Sequence, residues 1–277
     1  MHEFFNKIDK SYVINLKNDL KRKQHVLNQF EKYKITNFEI INAVSYKDEI
    51  VKNTFINDGV LAFPPCFRCG LEKCNHENNF ITPKQVANFL SMKKIMEIVV
   101  KEDLENVLIF EDDFIFKNFI KKSIKHIDKF CNKNTLLKTR NPLLLRIGSH
   151  TRVNKKYYLK MVVLNKSTFI KGNVENMANP CFLINKAFAN HFLDNFSFIS
   201  TTSDNFIHRE LCKNNFVENY SVYPFPIGQL SYGNKVNKFK STITENINSK
   251  SSTFDETQRV NSISDYVELK NKWILET

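Results

Sequence analysis

Three consecutive carboxylates are the first feature of this sequence that could do chemistry. Glu111, Asp112 and Asp113 directly follow Val107–Phe110, a fully apolar run with the length of a buried strand. Clustered carboxylates repel one another unless positive charge lies among them, and a divalent cation that bridges diphosphate oxygens is a common solution. The alternative is that these acids cap the next helix or pair with surface lysines. The triplet alone leaves both interpretations open.

A second group of candidate ligands lies within eleven residues, at Cys66, Cys69, Cys74 and His76. Three thiols and an imidazole that begin with a Cys-x2-Cys spacing are typical of tetrahedral zinc. A disulfide is the main alternative, but a reducing cytoplasm disfavours it and one of the three thiols would remain unpaired. Four protein ligands leave no open coordination position. We therefore predict a structural Zn(II) that staples an insertion loop at residues 60–80.

These groups need secondary structure to position them, and the hydrophobic pattern predicts alternating strands and helices. Strands are predicted at Tyr12–Leu16, Phe38–Val44, Val107–Phe110, Leu143–Ile147 and Cys181–Ile184. This alternation indicates an α/β fold. Ligands of open α/β sheets bind beyond the carboxyl ends of the strands, which is where the carboxylate triplet lies.

The clearest helix start is Thr82-Pro83, followed by Gln85. Threonine can accept from the amide three residues on, proline fits the first turn, and glutamine can bond back to the cap. Apolar residues then recur every three or four positions, which predicts a helix to about Lys101. Further helices are predicted after the first strand, from Lys186 to about Leu193, and from Asn205 to Cys212.

The composition excludes several classes of protein. The chain has 277 residues with 42% hydrophobic and 13% aromatic residues, which excludes wholesale disorder. Six Gly and seven Pro exclude a collagen-like or low-complexity chain. No apolar run approaches the roughly 18 residues of a membrane span, and the N-terminal segment lacks the apolar region of a secretory signal. We therefore expect a cytoplasmic protein.

The formal net charge of +12 implies attraction to anions such as nucleic acids, anionic lipid headgroups or phosphorylated sugars. The basic residues are spread along the chain, so charge alone does not choose among these partners. Residues 1–232 are predicted to form one domain, and residues 233–277 a polar C-terminal extension or arm. Trp273 is expected to pack the end of that extension onto the domain.

Several segments, taken in chain order, resemble glycosyltransferase family 25, the lipooligosaccharide and collagen glycosyltransferase family. Ile109-Phe110-Glu111-Asp112-Asp113 matches its "LEDD" segment closely. The remaining matches are Tyr12–Leu16 with Asp19 and Lys21-Arg22, Phe38–Val44, Thr82–Ser91, Leu145–Gly148, Asn179–Ala187, Thr202–Asp204 and Gly228-Gln229. The resemblance spans about residues 11–232.

The resemblance implies a GT-A-like nucleotide-diphosphosugar transferase fold, with a mixed central sheet flanked by helices. It also implies inverting transfer of a hexose, galactose or glucose, from a UDP-sugar to a glycan or glycolipid acceptor, assisted by Mn(II) or Mg(II). The basic surface would hold the diphosphate and allow peripheral contact with an anionic membrane surface.

The same resemblance assigns expected roles to individual residues. Glu111 and Asp113 would hold the divalent ion against the donor diphosphate. The expected donor-binding residues are Asn15, Leu16, Arg22, Ser91, Lys94, Asp112 and Gln229.

Inversion in one displacement requires a carboxylate that accepts the proton of the attacking acceptor hydroxyl. Asp204 is the candidate base, because it lies late in the chain at a predicted helix start, separate from the metal carboxylates. The alternative for Asp204 is an ordinary acid in the first turn of a helix. Asp194 is the second candidate, although its place near a helix end favours a surface role.

Two rival functions remain open at this stage. The Cys-x2-Cys start and the basic charge are compatible with a nucleic-acid-binding module that carries a zinc-knuckle-like loop. The cluster has only Phe67 and Arg68 for stacking and charge, which argues against nucleic acid. An inactive sugar-binding relative is the other rival, because Met92 replaces the histidine that the family usually carries after Leu-Ser.

Overall fold

The computed structural model describes residues 2–61, 65–66, 71, 79–149, 155–172, 178–213, 215–231 and 259–276. These residues form a mixed α/β fold in which helices flank both faces of a central sheet. The predicted α/β class is therefore confirmed. None of the helices in this described part combines the length and the apolar character that crossing a bilayer requires.

The helices vary in length from one turn to five. They are α1 (His2–Phe5), α2 (Leu20–Tyr33), α3 (Glu49–Ile56), α4 (Pro83–Lys101), α5 (Ile120–Lys133), α6 (Lys155–Val163), α7 (Lys186–Asn195), α8 (Ser203–Asn205) and α9 (Ile263–Glu276), with a 3-10 turn at Leu136–Lys138 and a π-helical turn at Phe206–Glu210.

The strands form a seven-stranded sheet in the order β2-β1-β3-β7-β5-β8-β6 and a small two-stranded sheet, β4-β9. They are β1 (Lys10–Asn15), β2 (Phe38–Asn42), β3 (Asn106–Glu111), β4 (Phe114–Phe116), β5 (Leu143–Arg146), β6 (Thr168–Lys171), β7 (Cys181–Asn185), β8 (Glu218–Tyr223) and β9 (Ile227–Gln229). All five strands predicted from the sequence are present. Neighbours β1 and β2, β1 and β3, and β5 and β8 pair in parallel, whereas β7 is antiparallel to β3 and β5, and β6 is antiparallel to β8.

Two apolar layers cover the two faces of the sheet. Alternate residues of β3 serve different layers: Val107 and Ile109 pack with α3, α4, α7 and α9, whereas Leu108 and Phe110 pack with α1, α2 and α5. A strand that is buried on both faces reads as a continuous apolar run, which explains why the sequence of β3 has no alternation.

The N-terminus of α4 carries the capping box that the sequence predicts. The Thr82 hydroxyl accepts from the Gln85 amide at 3.3 Å, and the Gln85 side chain accepts from the Thr82 amide at 2.9 Å. Pro83 occupies the first turn, and the helix ends at Lys101 as expected. The box fixes the start of the helix that carries Ser91 and Lys94.

The C-terminal helix α9 packs onto the domain. Trp273 is buried and its ring lies 5.2 Å from that of Phe55 on α3, which confirms that this residue fastens the chain end. Asn79 contributes a second link, because its side chain donates to the Val260 carbonyl at 2.8 Å and accepts from the Val260 amide at 3.2 Å.

Loss of the Thr82 cap should destabilise the protein measurably. Thr82→Ala removes the acceptor of a buried amide, so we expect the free energy of unfolding to fall by about 1–2 kcal/mol in urea denaturation. Thr54→Ala on α3 is the control, because that exposed hydroxyl donates to the Ile50 carbonyl and does not cap its helix. Equal losses for the two variants would contradict a role of the box in stability.

Candidate active site

One edge of the sheet gathers the polar groups of the candidate site. Strands β2, β1, β3, β5 and β8 run in the same direction, so their carboxyl ends meet at that edge. Asn15 ends β1, Glu111 ends β3 and Arg146 ends β5. The structure therefore places the carboxylate triplet at the end of a buried strand, as the apolar pattern predicts.

Asp112 lies in a buried ion pair. The Arg22 Nη1 donates to Asp112 Oδ1 at 2.6 Å, and Asn15 Nδ2 donates to Asp112 Oδ2 at 2.8 Å. Arg22 is aimed by the first turn of α2, where the Asp19 side chain accepts from the Arg22 amide at 3.0 Å and lies 3.4 Å from its Nε. Three residues of the resemblance-based donor set, Asn15, Arg22 and Asp112, are thus brought together.

The charges of this pair are set by opposing effects. Burial acts to lower the pKa of Arg22, but the attraction of Asp112, Asp113 and Asp19 outweighs it and raises that pKa. Burial raises the pKa of Asp112 to about 6, although the ion pair with Arg22 and the hydrogen bond from Asn15 oppose this change. The guanidinium is therefore permanently charged and holds the carboxylate in its ionised form near neutral pH.

Glu111 faces the opposite side of β3 from Asp112. Gln229 on β9 donates from Nε2 to Glu111 Oε2 at 3.0 Å, which the β4–β9 pairing permits. Burial raises the pKa of Glu111 well above its usual range, and the negative charges of Asp113, Asp204 and Asp112 raise it further. Asp204 thus lies within electrostatic reach of Glu111, although the two residues are 93 positions apart in the chain.

Asp113 has one oxygen that is engaged and one that is not. The Ser231 hydroxyl donates to Asp113 Oδ2, and the Leu230 amide donates to the Asp113 carbonyl at 2.8 Å. Within the described ranges, Asp113 Oδ1 and Gln229 Oε1 are both buried and have no hydrogen-bond partner. Two buried acceptor oxygens beside clustered carboxylates fit a hard divalent cation, which prefers oxygen ligands.

The side chains of the candidate site do not by themselves form a complete set of metal ligands in the described part of the chain. Among the described residues, no group of three or more His, Cys, Asp or Glu is arranged to hold a metal ion. Asp112 is engaged with Arg22, so the oxygens suited to a cation belong to Asp113, Glu111 and Gln229. The metal site stays a prediction.

Asp204 lies in α8, in the segment that packs beside α4. Its Oδ1 accepts from the Asn205 amide at 2.9 Å, the local bond of an acid in a first helical turn. The neighbouring Ser203 donates to Asn88 on α4 at 2.5 Å. The predicted helix from Asn205 is irregular, since residues Phe206–Glu210 form a π-helical turn.

A buried arginine anchors this segment to the sheet. Arg146 at the end of β5 is 1% exposed, and no carboxylate pairs with it in the described part of the chain. Its Nε donates to His208 Nδ1 at 2.8 Å, its Nη2 donates to the His208 carbonyl at 3.0 Å, and its Nη1 donates to Asn219 and Ser221 on β8. Neutral oxygen and nitrogen acceptors thus satisfy a cation that has been removed from water.

The Arg146 contact decides the tautomer of His208. An arginine can only donate, so His208 Nδ1 accepts and the proton resides on Nε2, which donates to Asn179 Oδ1 at 2.7 Å. Burial lowers the pKa of His208 well below its usual value, and Arg146 lowers it further, so the ring is neutral. Asn179 Nδ2 then donates to Ser203 Oγ at 3.4 Å. A continuous series of hydrogen bonds therefore runs from Arg146 through His208 and Asn179 to Ser203, the residue before Asp204.

Sequence reasoning missed Arg146, His208 and Asn88 as parts of the site. Arg146 was an isolated charge inside an apolar strand, Leu143–Arg146, and such a charge signals a buried polar network. Nothing local in the sequence links that charge to His208 or Asn88, since the three residues belong to different elements.

The remaining donor candidates have structural contacts. Ser91 accepts from the Val44 amide at 2.9 Å and donates to the Ala87 carbonyl at 2.8 Å, so it joins α4 to the loop after β2. Lys94 donates to the Asn42 carbonyl at 3.2 Å, at the carboxyl end of β2. The Leu16 carbonyl accepts from the Asp19 amide at 2.9 Å in the turn that precedes α2. Their roles in donor binding stay predictions.

Met92 and Asp194 occupy contrasting environments. Met92 is completely buried in the core between α4 and the sheet, so this position faces apolar side chains. Asp194 is exposed near the end of α7, which agrees with a surface role.

The cysteine cluster falls mostly outside the described residues. Cys69, Cys74 and His76 are not described, whereas Cys66 is buried and its amide donates to the Leu71 carbonyl at 2.9 Å. The structural zinc at Cys66, Cys69, Cys74 and His76 therefore stays a prediction.

Comparisons with known proteins give one family. The model of glycosyltransferase family 25, described as an LPS biosynthesis protein, matches residues 8–207. None of the curated proteins matches this chain. Among solved structures, a putative glucose-1-phosphate thymidylyltransferase from Bacillus anthracis in complex with a sucrose is 10% identical, with a TM-score of 0.36 over 76% of this chain and 86% of that one.

Removal of Arg22 should lower the free energy of unfolding, and the size of this loss should depend on pH. Arg22→Met leaves buried carboxylates uncompensated, so we expect the free energy of unfolding to fall by about 3–5 kcal/mol at pH 8. Without the guanidinium the pKa of Asp112 rises further above its unfolded value. Its protonation then stabilises the folded state at low pH, and that stabilisation is lost as the pH rises through the folded pKa. The loss measured in urea should therefore be smaller at pH 5 than at pH 8.

Lys7→Met is the matched control, because Lys7 forms a 2.6 Å ion pair with Asp128 at the surface. Its loss should stay below about 1 kcal/mol at both pH values. The assignment of Arg22 fails if the two variants lose equal stability, or if the loss for Arg22→Met does not depend on pH.

Proposed function

Because this chain belongs to glycosyltransferase family 25 and is a glycosyltransferase, we propose that it transfers a hexose, galactose or glucose, from a UDP-sugar to a glycan or glycolipid acceptor. The observation that carries this proposal is the position of Glu111 and Asp113 at the carboxyl end of β3, where the charge of Asp204 also acts on Glu111. The order of parallel and antiparallel strands supports a GT-A-like arrangement. The donor would lie beyond the carboxyl ends of β1 and β3.

Binding of the donor diphosphate requires positive charge, and we consider two sources of that charge. Arg22 lies at the edge, although Asp112 already compensates most of its charge. Mn(II) or Mg(II) held by Asp113, Glu111 and Gln229 would neutralise the charge of the leaving diphosphate. The unpartnered oxygens of Asp113 and Gln229 support this ligand set.

Asp204 is the proposed general base. The acceptor hydroxyl oxygen forms a bond to the anomeric carbon while the bond from that carbon to the diphosphate oxygen breaks. The electron pair of the broken bond leaves with UDP, and the hydroxyl proton moves to the Asp204 carboxylate. Attack from the face opposite the diphosphate inverts the anomeric configuration.

The surroundings of Asp204 support this role in two ways. The series of hydrogen bonds from Arg146 through His208 and Asn179 to Ser203 holds the backbone next to Asp204 in place. Among the described residues, the Asp204 side chain accepts from the adjacent Asn205 amide through Oδ1, so Oδ2 is available for a substrate hydroxyl. The structural zinc at residues 66–76 remains part of the proposal as a loop staple that takes no part in the chemistry.

The metal role of Asp113 can be tested by Asp113→Asn. We expect Mn(II)-dependent hydrolysis or transfer from UDP-glucose or UDP-galactose to fall by about a hundredfold or more, because the ligand charge is lost. Thermal stabilisation by UDP with Mn(II) should disappear as well. Glu268→Gln, an exposed acid on α9, is the control. Unchanged turnover at saturating Mn(II) would contradict the assignment, and wild-type stabilisation by RNA but by no UDP species would favour the nucleic-acid-binding rival.

The base can be tested by Asp204→Asn. General-base catalysis acts in the transition state, so kcat should fall by about two to four orders of magnitude while the affinity for UDP stays within about twofold. Asn keeps the hydrogen bond to the Asn205 amide, so a mere capping role predicts almost no change. Asp194→Asn is measured in parallel. A large loss in that variant together with a silent Asp204→Asn would move the base to Asp194.

A further inference from the structure

Helix α6 and the residue that follows it expose three large apolar side chains, which we call the α6 ridge. Leu159, Val163 and Leu164 are 57%, 71% and 64% exposed. The opposite side of the helix is well packed: Met161 is buried, and the Tyr157 ring lies 5.0 Å from that of Tyr223. The helix is thus held by its inner face, and the ridge is the face left outside.

Lysines border the α6 ridge. Lys156 and Lys160 lie one turn before Leu159 and Val163, respectively, on the same side of the helix, and Lys166 follows two residues after Leu164. Lys156 and Lys166 are exposed, and Lys160 is half-buried. A helix face with apolar centre and lysine border is suited to the boundary between water and lipid.

A second helix extends the basic border. His126 on α5 lies 3.0 Å from the Ser167 hydroxyl, which directly follows Lys166. Lys122 and Lys129 are one turn before and after His126 on α5, and both are exposed. Lys129 also contributes, after burial, to lowering the pKa of His126, which places its charge beside this contact.

Acidic residues are missing from this part of the sequence. Residues 129–174 contain eleven Lys or Arg and no Asp or Glu. The acid just before this segment, Asp128, pairs with Lys7 at 2.6 Å, and the next acid along the chain is Glu175. This segment of the sequence therefore carries a strong excess of positive charge.

We propose that the α6 ridge and its lysine border dock this protein on an anionic lipid surface. The three apolar side chains enter the boundary between headgroups and acyl chains, and the lysines attract the anionic headgroups. A second copy of this chain fits poorly, because a two-fold contact would bring lysine border against lysine border in a protein of charge +12. The docking does not depend on the proposed reaction.

Docking would also orient the candidate site. Tyr223, which contacts Tyr157 on α6, is the last residue of β8 at the edge where the strands' carboxyl ends meet. A lipid surface on α6 therefore lies next to that edge. If the proposed function holds, this arrangement presents the site to an acceptor that is itself embedded in the membrane.

Flotation of the full chain with vesicles tests the proposal. We compare vesicles of phosphatidylcholine with vesicles that also contain about 30 mol% phosphatidylglycerol, at about 0.1 M and about 1 M NaCl. The protein should bind the anionic vesicles at low salt and dissociate at high salt. Binding to the neutral vesicles should be at least about tenfold weaker.

Two variants separate the apolar and the charged contributions, and each has a matched control. The ridge variant is Leu159→Ser with Val163→Ser and Leu164→Ser, and its control is Ile50→Ser with Ile56→Ser, which are exposed on α3. The lysine variant is Lys156→Gln with Lys160→Gln and Lys166→Gln, and its control is Lys23→Gln with Lys101→Gln and Lys272→Gln. Both test variants should lose about tenfold or more in affinity for anionic vesicles, whereas both controls keep wild-type affinity.

Several results would overturn the proposal. One is wild-type protein that binds neither vesicle, or both equally. Another is a control variant that loses as much affinity as its test variant. If the ridge variant lowers the melting temperature by several degrees, the chain itself covers the ridge, with residues 232–258 as the first segment to examine. If sedimentation shows a wild-type dimer that the ridge variant dissociates, a second copy is the occupant.

Discussion

Negative charge at the end of a buried strand must be compensated, and the ion pair of Arg22 with Asp112 is the interaction on which the candidate site depends. Three acids follow an apolar strand that is covered on both faces, so burial and mutual repulsion both oppose their ionisation. The Arg22 guanidinium on α2 lies 2.6 Å from Asp112 and supplies a compensating positive charge from the chain itself. It also ties β1, the start of α2 and the end of β3 together through Asn15 and Asp19.

Because side chains alternate along a strand, neighbouring acids of the triplet face different sides of the sheet. Asp112 is directed to the α2 side, where Arg22 engages it, whereas Glu111 lies two residues after Ile109 and shares its face toward α4 and α8. Asp112 is thereby bound by Arg22 and Asn15, whereas Gln229 and Ser231 donate to Glu111 and Asp113. In the part of the chain that the structure describes, Asp113 Oδ1 and Gln229 Oε1 are buried without a hydrogen-bond partner, and such an atom calls for a ligand, an ion or a water molecule.

A second buried cation, Arg146, links the end of β5 to the segment that carries Asp204. Arg146 follows three buried leucines of β5, and its donors are satisfied by a histidine, an amide and a hydroxyl from other elements. Such a network tolerates little displacement, because any lost acceptor would leave a buried charge unsatisfied. The same network therefore immobilises the segment that carries Asp204. Acids are thus concentrated inside the site, while the lysines of α5 and α6 face outward, which reconciles an acidic centre with a net charge of +12.

Local patterns in the sequence were sufficient for the elements and for part of the site. The capping box at Thr82, the five predicted strands, the triplet at the end of β3 and the packing of Trp273 all follow from residue type and spacing over a few positions. The helices α3, α5 and α6 were not predicted, and Ser91 and Lys94, chosen by resemblance, have contacts that join α4 to the end of β2. The approach of Asp204 to Glu111, the bond from Gln229 to Glu111 and the network of Arg146 with His208 were decided by tertiary structure alone. Each of these joins residues at least 60 positions apart. Their proximity comes from the order in which strands pair, which no local periodicity encodes.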